Sequence, residues 1–320
     1  MLEVAGPLGY NIAVFNYPTQ EEANVTMDFS RYDGFSPSEN ENRMAMDQGD
    51  YAENYGPTVF HYTSIDSLHK ILEGKELSLN NTRTMNDAKE VRSFIENLEK
   101  AVSDDLPPEH LSESAAFFAS LYNQLEQAYP FASCFSSLED DASLWERYAD
   151  NARGVCLAFN TEALYRMFRK TSFKFNNIYY QYNIRNHFLY PIVKEYLETG
   201  KLTGYASREQ LAETIIAVSA LRKHASFQSE REFRLTSFYV PEATYTRIEF
   251  KVVNGVIRKY LNINLAQLAA DNGVSLDDLY QRIIIGPASS QNRRILQEYL
   301  QYAGYPTLAA NVYKSDCPLR

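Results

Sequence analysis

The sequence predicts an α+β fold: a single domain of mixed short strands flanked by helices. Three observations carry this. Short apolar or alternating runs recur along the chain, among them FASCFS at 131–136, GVCLAF at 154–159 and RIIIGP at 282–287. Longer stretches with apolar residues at three- and four-residue spacing lie between them. No internal repeat and no linker divides residues 57–320.

Taken in order, residues 1–56 are rich in Asn, Asp, Glu and Ser without sustained periodicity, and they predict a partly ordered polar extension. PTVFHYTS at 57–64 is a strand. A helix follows, capped by Ser64 or Asp66, with Ile65, Leu68, Ile71 and Leu72 on one face and Gly74 as its stop. Helical spacing resumes from Asp87 to about Val102, breaks at Pro107-Pro108 and returns over about 111–128. After the strand at 131–136, SLWERYADNA reads as a brief helix before the buried GVCLAF strand. Residues 161–170 and 184–199 are helical around a Tyr/Phe-rich strand at 173–182, and 208–225 is one long helix. FQSEREFRLTSFYV alternates as a strand, followed by TRIEFKVV, a helix over 261–270, strand RIIIGP, helix SQNRRILQEYLQYAG and a last strand NVYKSDCP.

Composition excludes several classes. The 320 residues carry 31 Lys and Arg against 41 Asp and Glu, a net charge of −10, which repels nucleic-acid backbones and anionic membranes and argues against a broad nucleic-acid-coating surface. No stretch approaches the roughly 18 apolar residues of a membrane span. The first residues, MLEVAGPLGYNIAVF, lack a basic segment followed by a long apolar one, so no signal peptide is expected. Cys134, Cys156 and Cys317 are isolated and odd in number, which predicts neither disulfides nor a zinc site and fits a cytoplasmic protein. The 24 Tyr and 18 Phe against a single Trp supply rings for a core and hydroxyls for a polar pocket.

Three constellations can carry chemistry. His61 precedes Thr63 and Ser64 at a strand end, a pair of directed hydrogen-bonding groups suited to a ribose or an amide; the alternative is a strand histidine satisfied by backbone. In Glu230-Arg231-Glu232-Phe233-Arg234, the strand period puts Glu230, Glu232 and Arg234 on one face, where close carboxylates perturb each other's pKa; a surface laced with ion pairs has the same pattern. Trp145 and Tyr148 fall on one side of a helical turn, able to stack on a flat ligand or to pack a core, and Gly154 allows a tight turn into the strand that follows. Arg83 can pair with a pyrophosphate, while Asn86 and Asp87 can equally cap the next helix. P-loop, dinucleotide, zincin and nucleophile-elbow motifs are absent, and the histidines show no metal-ligand spacing, so no metal is expected.

Together HYTS at 61–64, KILEG at 70–74, MNDAKE at 85–90, CFS at 134–136, LWERYADNARGVCLAF at 144–159, EREFR at 230–234, IIIGP at 283–287 and VYKSDCPLR at 312–320 resemble the prokaryotic domain-of-unknown-function 2971 family, over roughly 57–320. The strand with His and Thr, followed by a helix ending in IL-x-G-x-L, is more distantly similar to the start of ADP-ribosyltransferase folds. That resemblance implies a split sheet and NAD as substrate. His61 and Thr63 would hold the ribose or the nicotinamide amide, Tyr148 would stack with Trp145 in reserve, Glu232 would be the catalytic carboxylate with Glu230 beside it, and Arg83 would meet the pyrophosphate. Tyr148 departs from the pattern by lying in a helix. The implied activity is ADP-ribosyl transfer to a macromolecule in a toxin or phage-defence setting. The rival is a non-catalytic module sensing a nucleotide or a phage protein; a metal-dependent hydrolase using Glu230 and Glu232 is weaker, for want of a third carboxylate. The acceptor, and whether the chain is a homo-oligomer, are left open.

Overall fold

A computed structural model describes residues 56–85, 88–180, 183–237, 244–253 and 255–319. All of them belong to one compact unit within 34–320. The polar extension expected over 1–56 lies outside the described residues except for Gly56, as do Asn86, Asp87 and Tyr182.

Ten described strands form one open mixed sheet flanked by helices. β1 (Thr58–Thr63) leads into α1 (Ile65–Gly74), whose N-terminus is capped by the Ser64 hydroxyl accepting from Ser67 N–H. α1 buries Leu68, Ile71 and Leu72, as its spacing predicts. Its left-handed stop is Lys75 (φ 51°) rather than Gly74. β2 (Glu76–Asn81) returns to the sheet. α2 (Ala88–Asp105) and α3 (Leu111–Gln127) follow, interrupted at Pro107-Pro108 as expected. With α6 (Leu189–Thr199) and α7 (Arg208–Ser219) they form a helical layer of their own.

β3 (Phe131–Ser136) is the hub. β6 (Glu232–Ser237) pairs along one of its edges in full register, from Phe131↔Ser237 to Ser136↔Glu232. On the opposite edge two strands leave from opposite ends: β1 at Phe60↔Ser136, and β2 at Asn80↔Ala132 and Asn81↔Phe131. The sheet therefore divides. One wing runs from β1 through β4 (Val155–Asn160) and β9 (Tyr280–Ile285) to β10 (Val312–Lys314), with β9 and β10 parallel. The other runs from β2 through β8 (Val256–Asn264) to β7 (Thr246–Val253). α1 spans the gap because β1 and β2, both antiparallel to β3, run parallel and need a crossover. β5 (Lys174–Asn177) closes the far side of β6.

Two cores sit on opposite faces. The larger gathers Val59, Leu157, Phe135, Phe233 and Leu261 under α1, α5 (Thr161–Phe168), α8 (Leu265–Asp271) and α9 (Arg293–Tyr302). The smaller gathers Phe60, Tyr62, Cys156 and Ala158 under α4 (Ala142–Tyr148), which Asp141 caps. Gly154, just before β4, is required by space: a Cβ there would lie 2.1 Å from the Thr63 carbonyl oxygen.

Several expected elements differ. The strand over 173–182 is confined to Lys174–Asn177 plus a bridge from Tyr179 to Arg222. The long helix over 208–225 stops at Ser219. The strand expected from Phe227 begins only at Glu232, because Ala225–Glu230 forms a 3₁₀ segment ended by Arg231 at φ 44°. β8 extends to Asn264 where a helix was expected from 261, since Leu261 and Ile263 alternate with Asn262 and Asn264 as readily as they fit a helical face.

Candidate functional site

The gap between β1 and β2 opens into a cavity of about 900 Å³. His61 and Thr63 reach it from β1, Tyr148 from α4, Glu230 from the 3₁₀ segment and Glu232 from β6. Five of the seven residues singled out in the sequence thus meet at one place.

The other two do not. Trp145 is fully buried in the smaller core, edge-on to Tyr62 at 5.0 Å, with its indole N–H donated to Asp140 at 2.6 Å. The seven-residue helix turns Trp145 inward while Tyr148, one turn on, stays partly exposed and reaches the cavity. Arg83 is exposed, ion-paired with Glu126 and laid over the Tyr129 ring at 4.5 Å, outside the cavity lining.

Glu230 and Glu232 converge by a route other than the expected shared strand face. The left-handed Arg231 breaks the alternation, and the turn returns the Glu230 carboxylate to its neighbour. Ser136 pins that turn by donating its hydroxyl to the Glu230 carbonyl at 2.6 Å. Lys223 joins the carboxylates: its Nζ donates to Glu230 at 2.8 Å and to Glu232 at 2.9 Å. Arg234 donates to Glu232 at 2.6 Å, and Arg147 to Glu230 at 2.6 Å. The Tyr148 hydroxyl lies 3.1 Å from both Glu230 oxygens. Three cations face two carboxylates, and all but Arg147 and Tyr148 are almost wholly withdrawn from solvent.

Burial opposes ionisation of Glu232, but Arg234 and Lys223 outweigh it and hold the carboxyl down at about 2. Burial likewise opposes the Lys223 charge, and the carboxylates win, raising its pKa. Burial pushes the Tyr148 phenol and the Cys134 thiol up, keeping both neutral. Burial lowers His61, although its hydrogen bond to the Cys134 carbonyl at 2.8 Å partly opposes this. A carbonyl only accepts, so His61 Nδ1 carries the proton and Nε2 of the neutral ring is left as an acceptor.

His61 and Glu232 stand on opposite faces of the sheet. Phe60, Ser136 and Glu232 are directly opposite one another across β1, β3 and β6, so they share a face. His61, one residue along, points the other way, against Phe135 at 5.4 Å and Phe159 at 6.4 Å. Both line one cavity because the sheet is split between them.

The second wing contributes a polar wall. Register places Ser78 and Asn80 of β2, Arg258 and Tyr260 of β8, and Arg247, Glu249 and Lys251 of β7 on one face, all lining the cavity. In total five cationic residues (Lys70, Lys223, Arg247, Lys251, Arg258) and five acidic ones (Glu73, Glu76, Glu230, Glu232, Glu249) line it. Such a balance suits a ligand carrying both signs.

Sequence reasoning missed Lys223, Arg147 and the β7–β8 wall. Lys223 was absorbed into a helix that ends four residues earlier; the only signal is that apolar spacing runs out near Leu221. The wall depends on pairing between segments far apart in sequence, which local pattern does not encode.

Among the described residues no helix is long and apolar enough to cross a membrane. No curated protein and no solved structure matches the chain. Residues 144–235, the span that contains Arg147, Tyr148, Lys223, Glu230, Glu232 and Arg234, match the model of a protein of unknown function, DUF2971.

Proposed function

We propose that the chain is an ADP-ribosyltransferase-like enzyme that binds NAD in the cleft of the split sheet and transfers ADP-ribose to a macromolecule. The observation that carries this reading is the convergence of His61, Thr63, Tyr148, Glu230 and Glu232 on one cavity of about 900 Å³, within the size range of nucleotide-sized sites. What supports NAD on charge is a lining of both signs, cations for the diphosphate and carboxylates for the pyridinium.

In this reaction the bond between ribose C1′ and the nicotinamide nitrogen breaks, and its electron pair leaves with neutral nicotinamide. The oxocarbenium-like centre at C1′ is then captured by a nucleophile of the acceptor, which gives up a proton. Glu232, ionised throughout the neutral range, accepts a ribose hydroxyl and stabilises the positive charge. Tyr148 offers its ring and hydroxyl at the mouth, and neutral His61 accepts through Nε2.

Incubating the protein with NAD labelled in the adenylate and a bacterial lysate tests this. Label transfer and nicotinamide release that vanish in Glu232→Gln are expected; absence of both from the wild type sinks the enzymatic reading. A toxin or phage-defence setting belongs to the same reading, and growth arrest on expression that Glu232→Gln relieves would bear on it.

A second reading has its own supporting observation. Each carboxylate is already engaged by two cations, at 2.6–2.9 Å, which blunts its electrostatic effect on a cationic centre. A module that senses a nucleotide or a phage protein without turnover needs only this rigidity. It is favoured if NAD or ADP-ribose raises the melting temperature while no nicotinamide is released.

A further inference from the structure

The cations of the β7–β8 wall are not equivalent. Arg247 donates to Glu76 at 2.6 Å and lies 3.6 Å from Glu249. Lys251 is 3.1 Å from Glu249, donates to Ser78 at 3.2 Å and sits over the Tyr260 ring at 4.9 Å. Arg258 stands directly opposite Lys251 in the β7–β8 register and lines the same cavity, yet it forms no hydrogen bond or ion pair among the described residues. Its Nε is buried without an acceptor. Only Nε is shielded; the rest of the guanidinium is partly exposed on the cavity wall with no carboxylate beside it, and its terminal nitrogens can take a bidentate anion.

Position narrows the anion. β8 lies three strand spacings from β6, across β2 and β3, about 14 Å, and the register sets Arg258 six residues further along the strands than Glu232. A ligand touching both Arg258 and Glu232 is therefore extended, with an anionic group at one end and hydroxyls for a carboxylate at the other. Tyr260, two residues along on the same strand face as Arg258, adds an aromatic surface beside the anion.

We propose that Arg258 anchors the diphosphate of a nucleotide lying across the cleft from β8 toward Glu232. The inference rests on reading the cleft as nucleotide-binding, and not on turnover.

Calorimetric titration of the full chain with ADP-ribose, ADP, pyrophosphate and adenosine tests it, using wild type, Arg258→Gln and Arg258→Lys. ADP and ADP-ribose are expected to bind roughly 30-fold or more weakly to Arg258→Gln, the loss that follows removal of one partner from a shielded charge pair. Adenosine, which lacks phosphate, is expected to bind both proteins alike, and Arg258→Lys to restore part of the loss. Unchanged ADP-ribose affinity in Arg258→Gln overturns the proposal, as does an equal loss for adenosine, which would mark a merely structural role. ADP binding no tighter than pyrophosphate overturns the nucleotide assignment, and a wild type that binds neither ADP nor ADP-ribose overturns the whole. Arg258-dependent binding without nicotinamide release supports the anchor while removing the transferase reading.

Discussion

Lys223 donates to Glu232 across 2.9 Å with both side chains almost wholly withdrawn from water. Neither group could be buried alone, because an isolated charge in the interior costs far more than any single contact returns. The 3₁₀ segment and the start of β6 are held in place by this mutual need.

Replacing Lys223 with Met therefore leaves two shielded carboxylates without their common partner. A loss of about 3–5 kcal/mol in unfolding free energy is expected, read from the urea midpoint at neutral pH. Adding Glu230→Gln to the same chain is expected to regain part of the stability, since Glu232 keeps Arg234 while the half-exposed Arg147 turns to solvent. A Lys223→Met protein as stable as wild type would show that the cluster contributes nothing to the fold.

The same cluster sets an acid response. Glu232 is held at about 2 in the folded chain against an ordinary value of 4.5. Its folded pKa is depressed, so its contribution is whole above about 4.5 and is lost as pH falls toward about 2. Wild type is expected to lose stability more steeply across that window than Glu232→Gln, in denaturation followed by circular dichroism at a series of pH values. Parallel curves would contradict the assignment.

Gly154 faces the Thr63 carbonyl oxygen so closely that a methyl group has no room. Gly154→Ala is expected to cost about 1–3 kcal/mol, as overpacking does when backbone must move. Because Thr63 lines the cavity, the shift would also weaken ligand binding. Thermal unfolding with and without ADP-ribose measures both effects, and an unperturbed melting temperature would show that the backbone yields there.

Lys75 occupies the left-handed position that ends α1, exposed and with φ at 51°. Relief of about 1–2 kcal/mol of left-handed strain outweighs the roughly 0.5–1 kcal/mol of backbone entropy that glycine gives up. Lys75→Gly is thus expected to stabilise by about 0.5–1 kcal/mol, visible as a raised melting temperature. A lowered one would mean that the lysine side chain compensates its own backbone.

Much of the fold was legible where local physics decides. The Ser64 cap, the apolar face of α1, the break at Pro107-Pro108 and the helix around Trp145 and Tyr148 all follow from spacing and side-chain chemistry within a few residues. Gly74 was read as the helix stop because glycine favours the left-handed region, yet the chain accepts that strain at Lys75 instead. Alternation from Phe227 hid the left-handed Arg231, since residue types alone do not reveal a single inverted φ. The candidate site was half legible: His61, Glu230 and Glu232 stand out by type, whereas Lys223 and Arg258 acquire meaning only from partners brought across the sheet.

The bifurcation at β3 makes the molecule mechanically two-part. One paired position ties β1 to β3 and two tie β2 to β3, whereas six tie β1 to β4 and five tie β2 to β8. Each wing is thus stitched more densely within itself than to the spine it grows from. Bending concentrates along the seam, where backbone bonds are fewest. The cleft width then becomes the coordinate along which the two wings flex, and a ligand spanning from Arg258 to Glu232 acts as a strut between them.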